Sequence, residues 1–404
     1  MTRPNDQLDT EVVIAGGGPV GFTAALLLAR AGIDVMLLEQ EPAISRDLRA
    51  STFHPPTLDM LDTVGLGDKV VAEGIPCPHW QIRLHPSGER AVFDLGVLAK
   101  DTRHPYRLQC EQWKLAVAIA DAVAGERNAQ VQFGTRVTGF TQDDNGVAVT
   151  TVIGGATRTI RARFLIGSDG ARSTVRDTLD LPFEGETYPE TTLLATTTVQ
   201  FNEHLEGLSN VSYCWKAGGN FALLRVPGRW RVSIYPREDL PIEDQLTEDA
   251  IEASLQEIVP RSERYHIIEK RPYRVHQRIV PQYGRGRVWL AGDAAHLNSP
   301  TGGMGLNGGI HDAFELTAAL IEIIGRNAPL ERLSLYDRRR RPIAREQILA
   351  QSDRNRARMR ERDDTRRREI LAGLQTLTRD REQLYAYMLK TSMIEGLRQA
   401  AAIS

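Results

Sequence analysis

The feature that most constrains the fold is a glycine turn between an apolar strand and an apolar helix. A run of mostly β-branched residues at 11–15 enters the pattern Gly16-x-Gly18-x-x-Gly21, and a second apolar strand occupies residues 35–38. Between them, small and apolar side chains recur at helical spacing, namely Ala24, Ala25, Leu28 and Ala29. The sequence therefore predicts a β-α-β unit at the amino end.

A turn of this kind binds the pyrophosphate of a dinucleotide. Its glycines permit the tight turn, the close approach of the backbone and the packing of helix on strand, with Pro19 and Val20 between them. Glu39 follows Gly21 by eighteen residues, where a carboxylate can accept both hydroxyls of an adenosine ribose. An acidic partner excludes a 2′-phosphate, so we expect FAD or NAD. The glycine string alone would also fit a structural turn.

Composition points to an ordinary cytoplasmic protein. The chain has 404 residues and a formal charge of −2, which allows two domains around a large core. Neither a signal peptide nor an 18-residue apolar stretch is evident, so we expect no stable membrane association. Cys77, Cys110 and Cys214 are too scattered for a disulfide framework or a metal site, and no metal is predicted.

Two further turns follow apolar strands. Residues 157–166 lead to Asp169-Gly170 before a basic helix start, which is typical of a second phosphate-facing turn. In the alternative interpretation Asp169 only caps the next helix. Residues 287–291 lead to Gly292-Asp293, and a glycine-rich loop then opens a long helix. A loop precedes Gly303-x-Gly305-x-x-Gly308, so we reject a second nucleotide fold and expect the positive helix end to face an anionic ligand.

The middle of the chain reads as a sheet. Apolar and polar residues alternate through 180–280, and Pro227-Gly228 forms a hairpin turn, which predicts an antiparallel sheet inserted between nucleotide-binding segments. Strands are also expected within 79–96. A helix is predicted to open at residues 108–111 and to present Gln109 to a ligand. Arg49 either is solvated or reaches back to the pyrophosphate.

Residues 331–369 are rich in arginine. They hold fourteen arginines against eight acids, a pattern that fits contact with RNA or an acidic lipid surface. Because acids are interspersed and aromatic residues are few, we favour solvated, ion-paired helices and predict no nucleic-acid partner.

Together, the three glycine-containing motifs resemble those of the flavin-dependent aromatic hydroxylases of the p-hydroxybenzoate hydroxylase family, from about residue 10 to the carboxyl end. The resemblance implies an α/β fold, with a Rossmann-like FAD-binding domain, an inserted antiparallel-sheet substrate domain and C-terminal helices. The expected boundaries are 1–78, 106–179 and 281–330 for the FAD-binding domain, 79–105 for substrate-domain strands, 180–280 for the substrate-binding sheet and 331–404 for the C-terminal helices.

The resemblance also implies a noncovalent FAD site. The first motif would bind the ADP part, the turn at Asp169 would serve FAD and the nicotinamide cofactor, and Asp293 would bind the ribityl chain. Arg49 and Gln109 fall at the pyrophosphate and ribityl contacts, and the isoalloxazine ring would meet the helix start at Gly303, Gly305, Leu306 and Asn307. NADH or NADPH would dock transiently, since no second Rossmann domain is present. Gln40-Glu41 follows Glu39 where the family's NADPH enzymes tend to be more basic, so Glu41 favours NADH, and the choice stays open.

The implied reaction is hydroxylation of an electron-rich ring, such as a phenol, an aromatic acid or a hydroxypyridine. In the family, reduced FAD adds O2 at C4a and the hydroperoxide transfers OH. The resemblance places Tyr188 at the substrate hydroxyl, Tyr387 (or Tyr385) at its proton-relay partner and Pro300 at the ring face. Both tyrosines have an alternative role in packing. Other expected substrate contacts are Thr52, Tyr213, Leu223, Arg225 and Thr301.

Departures from the family pattern narrow the substrate. The stretch Arg225-Val226-Pro227 stands where the family's serine and arginine hold a benzoate carboxylate, which argues against p-hydroxybenzoate itself. His54 and His296 are interpreted as packing residues rather than bases. Rival functions are a same-fold reductase or desaturase acting on a prenyl or lipid-like substrate, an NAD dehydrogenase, and a nucleic-acid-binding protein. A homodimer is left open.

Overall fold

The computed structural model describes residues 8–46, 50–236 and 240–404. The strands are β1 (Thr10–Ala15), β2 (Val35–Leu38), β3 (Thr52–Phe53), β4 (Ile75–Cys77), β5 (His79–Leu84), β6 (Arg90–Asp94), β7 (Arg107–Gln109), β8 (Ala129–Gln132), β9 (Thr135–Gln142), β10 (Val147–Ile153), β11 (Ala156–Gly167), β12 (Glu184–Thr197), β13 (Val211–Lys216), β14 (Gly219–Val226), β15 (Arg229–Ile234), β16 (Ile267–Ile279), β17 (Gly284–Arg285), β18 (Val288–Leu290) and β19 (His296–Leu297).

The helices are α1 (Pro19–Arg30), α2 (Pro55–Thr63), α3 (Gly67–Ala72), α4 (Gln112–Ala124), α5 (Thr174–Thr178), α6 (Ile242–Gln245), α7 (Glu248–Gln256), α8 (Met304–Arg326), α9 (Arg332–Ile343), α10 (Ala350–Met359), α11 (Asp364–Arg379), α12 (Arg381–Thr391) and α13 (Ile394–Ala401). A π-helical turn, Ala344–Leu349, joins α9 to α10. Short 3-10 turns lie at Leu95–Leu98, Phe201–Glu203 and Gly292–Ala294.

The first sheet confirms the predicted β-α-β unit. Its strand order is β17-β18-β11-β1-β2-β8, and β18, β11, β1, β2 and β8 run parallel. Helix α1 packs beside both α8 and α4. The apolar strands β2 and β18 are buried along their whole length, which explains why their sequences do not alternate.

The second sheet has the order β19-β16-β12-β15-β14-β13-β5-β6. All its pairs are antiparallel except β5 with β13, and the strands expected within 79–96, β5 and β6, lie in this sheet. Strand β19 pairs with β16, and this places residues 296–297 in the second sheet although the segment 281–330 was expected to belong to the FAD-binding domain.

Alternation sorts the side chains of the second sheet onto two faces. The far face packs on α7 through a cluster that includes Leu193, Cys214, Leu223 and Trp230. The near face carries the intervening residues, among them Trp80 and Tyr213, and packs on α10, α11 and α12. The fold therefore encloses space between the near face, the start of α8 and the C-terminal helices.

A small third sheet corrects one prediction. Residues 107–109 form β7, which pairs with β3 and β4, whereas the sequence analysis expected a helix to open at 108–111. The helix α4 begins only at Gln112. Local composition could not reveal this strand, because its partners lie more than thirty residues away at both Ile75 and Thr52.

The C-terminal helices cross from one sheet to the other. Helix α9, the π-helical turn and α10 follow one another without a break, with Pro342 inside α9. The end of α10 is fixed to the second sheet, since Trp215 Nε1 donates to the Arg358 carbonyl at 3.2 Å and Asn220 Nδ2 to the Met359 carbonyl at 2.8 Å. The short helix expected around 383–388 is α12, and α13 follows it.

Among the described residues, none of the helices combines the length and the apolar character that crossing a membrane requires.

Candidate active site

The glycine turn is shaped for an anion. Gly16 has a φ of +102°, and a Cβ there would lie 2.4 Å from the Ser168 carbonyl oxygen. A Cβ at Gly21 would lie 2.0 Å from the Gly16 carbonyl oxygen, so this glycine permits close packing. Gly18 differs, because a Cβ there would meet no atom within 4 Å. Gly18 caps α1 without a side-chain hydrogen bond, which leaves helix N–H groups facing open space for a pyrophosphate.

Glu39 lies beside this turn. Its Oε2 accepts a hydrogen bond from the Gly17 N–H at 2.6 Å, and its Oε1 accepts one from the Glu41 N–H at 2.8 Å. Each oxygen keeps a second lone pair for a ribose hydroxyl. The neighbouring Gln40 is exposed. Arg49 lies outside the described residues, so its predicted contact with the pyrophosphate stays a prediction.

The Asp169 turn meets the glycine turn directly. Asp169 accepts hydrogen bonds from Ser173 Oγ at 2.5 Å and from the Val175 N–H at 3.1 Å, next to the start of α5. Burial raises the pKa of Asp169, and these hydrogen bonds oppose the rise. Because Gly16 packs against Ser168 and Asp169, the turn at Asp169 covers one side of the glycine turn at residues 16–21. Ser173 is the N-cap of α5, and Asp169 supports the same helix start by accepting the Val175 N–H.

A buried ion-paired group supports the Gly292-Asp293 turn. Asp312 on α8 accepts hydrogen bonds from the Gly292 N–H at 3.1 Å, His296 Nε2 at 2.7 Å and Arg340 Nε at 2.8 Å. Burial alone would raise the pKa of Asp312, but Arg340 and His296 outweigh it and lower the pKa to about 2. The turn presents Asp293 at the surface.

The start of α8 is held from β3 and the loop after it. Asn307 Oδ1 accepts the His54 N–H at 2.8 Å, while its Nδ2 donates to the carbonyls of Thr52 and Gly303 at 2.8 and 2.7 Å. His54 Nε2 lies 2.8 Å from the Gly302 carbonyl oxygen. Gln109 is buried and bonds to Thr52 through Nε2 at 2.9 Å.

These contacts leave the N–H groups of the first turn of α8 for a ligand. Gly303 caps the helix in the left-handed region, with φ +68°, and no side chain fills its capping position. Gly305 and Leu306 follow in the first turn, where backbone N–H groups have no partner within the helix. The positive end of α8 therefore fits the anionic edge of a reduced flavin.

A first cavity, which we call the deep cavity, lies between the near face, the loop before α8 and the C-terminal helices. It is lined by Trp80, Ile82, Arg107, Tyr213, Thr301, Gly302, Asn355, Arg358, Met359, Tyr387 and Thr391.

Arg107 is the most unusual group in the deep cavity. It is 3% exposed and stacks over the Trp80 ring, with its guanidinium carbon 4.8 Å from the ring centroid. Burial lowers the pKa of Arg107, and Tyr213 and Tyr387 oppose this effect. Its Nε has no hydrogen-bond partner among the described residues.

A second cavity, which we call the mouth, adjoins the first. It is lined by Thr191, Thr192, Asn220, Tyr235, Pro236, Val275, Ser299, Pro300, Thr301, Arg356, Met359, Arg360 and Arg362. Both cavities share Thr301 and Met359. Of the predicted residues, Thr301 therefore lines both cavities, whereas Pro300 lines only the mouth.

Comparison with known proteins decides the family. Residues 9–351 match the family described as FAD binding domain. The chain belongs to this family. The para-nitrophenol 4-monooxygenase of Pseudomonas sp. (strain WBC-3) is 35% identical over 96% of this chain and 96% of its own. The 6-hydroxy-3-succinoylpyridine 3-monooxygenase HspB of Pseudomonas putida (strain DSM 28022 / S16) is 34% identical over 82% of this chain and 85% of its own.

The fold gives the same answer. The crystal structure of p-nitrophenol 4-monooxygenase PnpA from Pseudomonas putida DLL-E4 superposes with a TM-score of 0.90 at 32% identity, covering 97% of this chain and 98% of that one. The chain is therefore an FAD-dependent aromatic monooxygenase of the p-hydroxybenzoate hydroxylase fold, as the three motifs predicted. This interpretation holds over the reductase and desaturase alternative.

The tyrosines expected to form a proton relay in this monooxygenase have different partners. Tyr188 donates to Asp353 Oδ1 at 2.7 Å, also contacts Gln277, and carries the Arg356 guanidinium 3.5 Å from its ring centroid. Burial and the hydrogen bond to Asp353 raise the pKa of Tyr188. Tyr188 therefore anchors α10 to β16 and lines neither cavity. Tyr387 does line the deep cavity, where its hydroxyl accepts a hydrogen bond from Arg358 at 3.3 Å.

Two expected substrate contacts lie on the far face. Leu223 is fully buried in the cluster beneath α7, and Arg225 lies on the same side, 6.0 Å from the Trp230 ring centroid. A shift of one residue along a strand exchanges its two faces, so a position taken from family spacing fails when the register differs by one. Thr52 and Tyr213 do reach the start of α8 and the deep cavity, respectively.

The arginine-rich segment contains many ion pairs, as predicted. Arg332, Arg339 and Arg341 pair with Glu322, Glu315 and Asp337, and Arg368 reaches Glu89. The sequence analysis did not foresee that others in the segment line the two cavities.

Other clusters of reactive side chains are accounted for by their neighbours. The three cysteines are free and buried, and burial raises the pKa of each to about 12. Asp59, Asp62 and His104 lie close enough to share an ion, but Asp62 pairs with Arg103 and His104, and Asp59 accepts the Arg103 N–H.

Arg107, Asn220, Tyr235 and Met359 were missed by sequence analysis. Arg107, Asn220 and Met359 lie within strands or a helix, and Tyr235 directly follows β15. None of them belongs to a motif, and only the folded chain brings them to the two cavities.

Proposed function

We propose that this monooxygenase hydroxylates a small phenol that binds in the deep cavity as the phenolate, with its oxygen beside Arg107. The single observation that carries the proposal is the buried Arg107 guanidinium, whose neighbours in the deep cavity include the phenol groups of Tyr213 and Tyr387 and, among the described residues that line it, no carboxylate. A buried cation without an acidic partner is costly unless an anion joins it.

The chemistry of the reaction favours the same substrate form. A nearby cation lowers the pKa of a phenol, so that the substrate ionises near neutral pH. Ionisation makes the ring richer in electrons, which helps an electrophilic oxygen atom to add. Tyr213 and Tyr387, which both act on Arg107, would orient the phenolate oxygen, and Trp80 would cover the cation on its other side.

The residues around the glycine turn and the start of α8 would hold FAD. Gly18 and the first turn of α1 would face the pyrophosphate, Glu39 the adenosine ribose, Asp293 the ribityl chain, and the first turn of α8 the isoalloxazine ring. When bound, FAD would accept electrons from NAD(P)H and activate O2. This chain's part is to position the ring, exclude water and stabilise negative charge through the α8 amino end.

The relatives support an acidic hydroxylated ring as substrate. One is named for para-nitrophenol and another for a hydroxypyridine, and both rings carry a hydroxyl group. We extend that chemical class, rather than either compound, to this chain.

The test uses the FAD-loaded enzyme and a panel of phenols and hydroxypyridines. Oxidation of NADH and of NADPH is followed with each compound, and mass spectrometry looks for one oxygen atom from labelled O2 in the product. Arg107→Met should raise KM for ionised phenols by about tenfold or more, since a charge-assisted contact of about 1.5–3 kcal/mol is lost. Arg107→Lys keeps the positive charge, so its KM for ionised phenols should lie between those of the wild type and Arg107→Met.

The matched control is Arg83→Met. Arg83 is also 3% exposed and lies on β5 of the same sheet, where it bonds to the Glu206 carbonyl. This variant should keep its KM. If Arg107→Met retained wild-type KM for ionised phenols, the phenolate site would be wrong, and if no compound on the panel gained oxygen, the substrate class would be wrong.

We also propose that the enzyme works in the cytoplasm, because its three cysteines stay free and its reductant is an intracellular nucleotide. Cell fractionation tests this. Light scattering of the purified protein tests the homodimer, and filter binding at low salt tests the predicted lack of a nucleic-acid partner.

A further inference from the structure

The charged side chains that line the two cavities, as far as the structure describes them, have one sign. Among the described residues, every charged side chain lining them is an arginine, with Arg107 and Arg358 in the deep cavity and Arg356, Arg360 and Arg362 in the mouth. The low-dielectric walls of a cleft concentrate the field of such charges and raise the local concentration of anions.

Two side chains that line the mouth, Pro300 and Arg362, are exposed to solvent, whereas every side chain that lines the deep cavity is buried or half-buried. The two cavities meet at Thr301 and Met359, and Met359 is 5% exposed. A small molecule that moves from solvent through the mouth would therefore pass Met359 before it reached Arg107.

The mouth arginines project from a fixed backbone. Trp215 and Asn220 hold the carbonyls of residues 358 and 359, and Arg362 donates to the Gly218 carbonyl. Arg356 lies over the Tyr188 ring and contacts Asp353 at 3.4 Å. Asp353 thus offsets part of the charge of Arg356, while Glu361 accepts the backbone N–H groups of Arg362 and Asp363.

We propose that the mouth is the entrance through which anionic aromatic substrates reach the deep cavity, with Met359 as the side chain that must move aside. The proposal rests on the proposed function, because it supplies the route to the site beside Arg107. The mouth arginines attract the ionised phenol and raise its rate of association. Met359 suits the inner end because its unbranched thioether changes rotamer at low cost.

Rapid-mixing kinetics on the FAD-loaded enzyme test the route. Association of 4-nitrophenol, at a pH where it is ionised, is followed by the change in flavin absorbance, and phenol, which stays neutral at that pH, is the comparison. The association rate constant of the nitrophenolate should fall several-fold as salt rises from about 20 to about 300 mM, since the Debye length shrinks below 10 Å. That of phenol should barely change.

Variants separate the entrance from the binding site. The double variant Arg360→Gln/Arg362→Gln should slow nitrophenolate association at low salt by about threefold to tenfold and flatten its salt dependence. The control Arg264→Gln removes one charge from an exposed residue paired with Asp249 beside α7, and it should leave association unchanged. Met359→Phe should slow association of both compounds without altering the salt dependence.

The outcomes are distinct. If wild-type association were independent of salt, or if the double variant matched the wild type at low salt, the mouth would not be the entrance. If Met359→Phe left both association rates unchanged, passage beside Met359 would be excluded. Failure of the wild type to hydroxylate any phenol would instead contradict the proposed function, because association is measured without turnover.

Discussion

His54 Nε2 lies 2.8 Å from the Gly302 carbonyl oxygen, so the segment after β3 holds the loop that opens α8. Burial lowers the pKa of His54 to about 3, with Arg107 acting in the same direction and the hydrogen bond to Gly302 opposing. The imidazole is therefore neutral and donates through Nε2. It positions the loop beside both cavities and is not a general base.

This contact makes stability depend on pH. The folded-state pKa of His54 lies below its unfolded value of about 6.5, so its contribution is complete above that pH and is lost as pH falls towards 3. His54→Gln keeps a donor but cannot titrate. The free-energy difference between wild type and variant, measured by urea unfolding, should shrink by about 1.4 kcal/mol per pH unit below pH 6.5. A difference that stays constant between pH 7 and pH 4 would contradict a neutral, buried His54.

Gly18→Ala should weaken FAD binding, whereas Gly21→Ala should lower the stability of the fold. A Cβ at Gly18 meets no protein atom and its φ is −80°, so the apoprotein should keep its thermal midpoint while FAD binds more weakly. A Cβ at Gly21 would strike the Gly16 carbonyl oxygen, and this variant should lose stability even without FAD. Calorimetry of the apoproteins and fluorescence titration with FAD measure the two effects. Equal FAD affinity of Gly18→Ala and wild type would remove Gly18 from the site.

The two faces of the second sheet predict opposite behaviour for Leu223 and Tyr213. Leu223→Ala should cost about 2–5 kcal/mol of unfolding free energy and leave the substrate KM unchanged, because this side chain packs beneath α7. Tyr213→Phe should raise KM with little loss of stability, because the hydroxyl acts on Arg107 in the deep cavity. Chemical unfolding and steady-state kinetics on both variants check the assignment. A raised KM in Leu223→Ala would show that the strand register is wrong.

Asp312→Asn should both unfold the protein more easily and weaken FAD binding. Removing the charge leaves Arg340 buried without its carboxylate, at a cost of about 3–5 kcal/mol. The pKa of Asp312 lies at about 2, below its unfolded value, so its contribution is present above about pH 4 and is lost as pH falls through 2. Acid titration followed by circular dichroism should show a smaller loss of stability in the variant. The control is Glu315→Gln. Glu315 lies on α8, like Asp312, but its ion pair with Arg339 is more exposed to solvent.

The sequence predicted the parts of the fold that local pattern determines. The glycine turn, the apolar strand before it and the helix after it lie within twenty residues, and their spacing alone identifies the β-α-β unit. The hairpin at Pro227-Gly228 was equally local, and β14 and β15 pair across it.

Long-range packing determined what the sequence did not predict. Strand β7 exists because β3 and β4 flank it, and the deep cavity exists because α10 is tied to Trp215 and Asn220, more than a hundred residues away in sequence. Tyr188 and Leu223 were placed by spacing within a known family, which does not record whether the register is shared. Arg107 carried no motif, and only its burial singles it out.

The unbroken helical run from Arg332 to Met359 has an evolutionary consequence. Its first half supports the Gly292-Asp293 turn, because Arg340 donates to Asp312, which accepts the Gly292 N–H. Its second half lines the deep cavity and the mouth, in which the aromatic substrate would bind. The π-helical turn lies between the two halves. Replacement of side chains after this turn can therefore change the substrate specificity of such an enzyme while its binding of FAD stays the same.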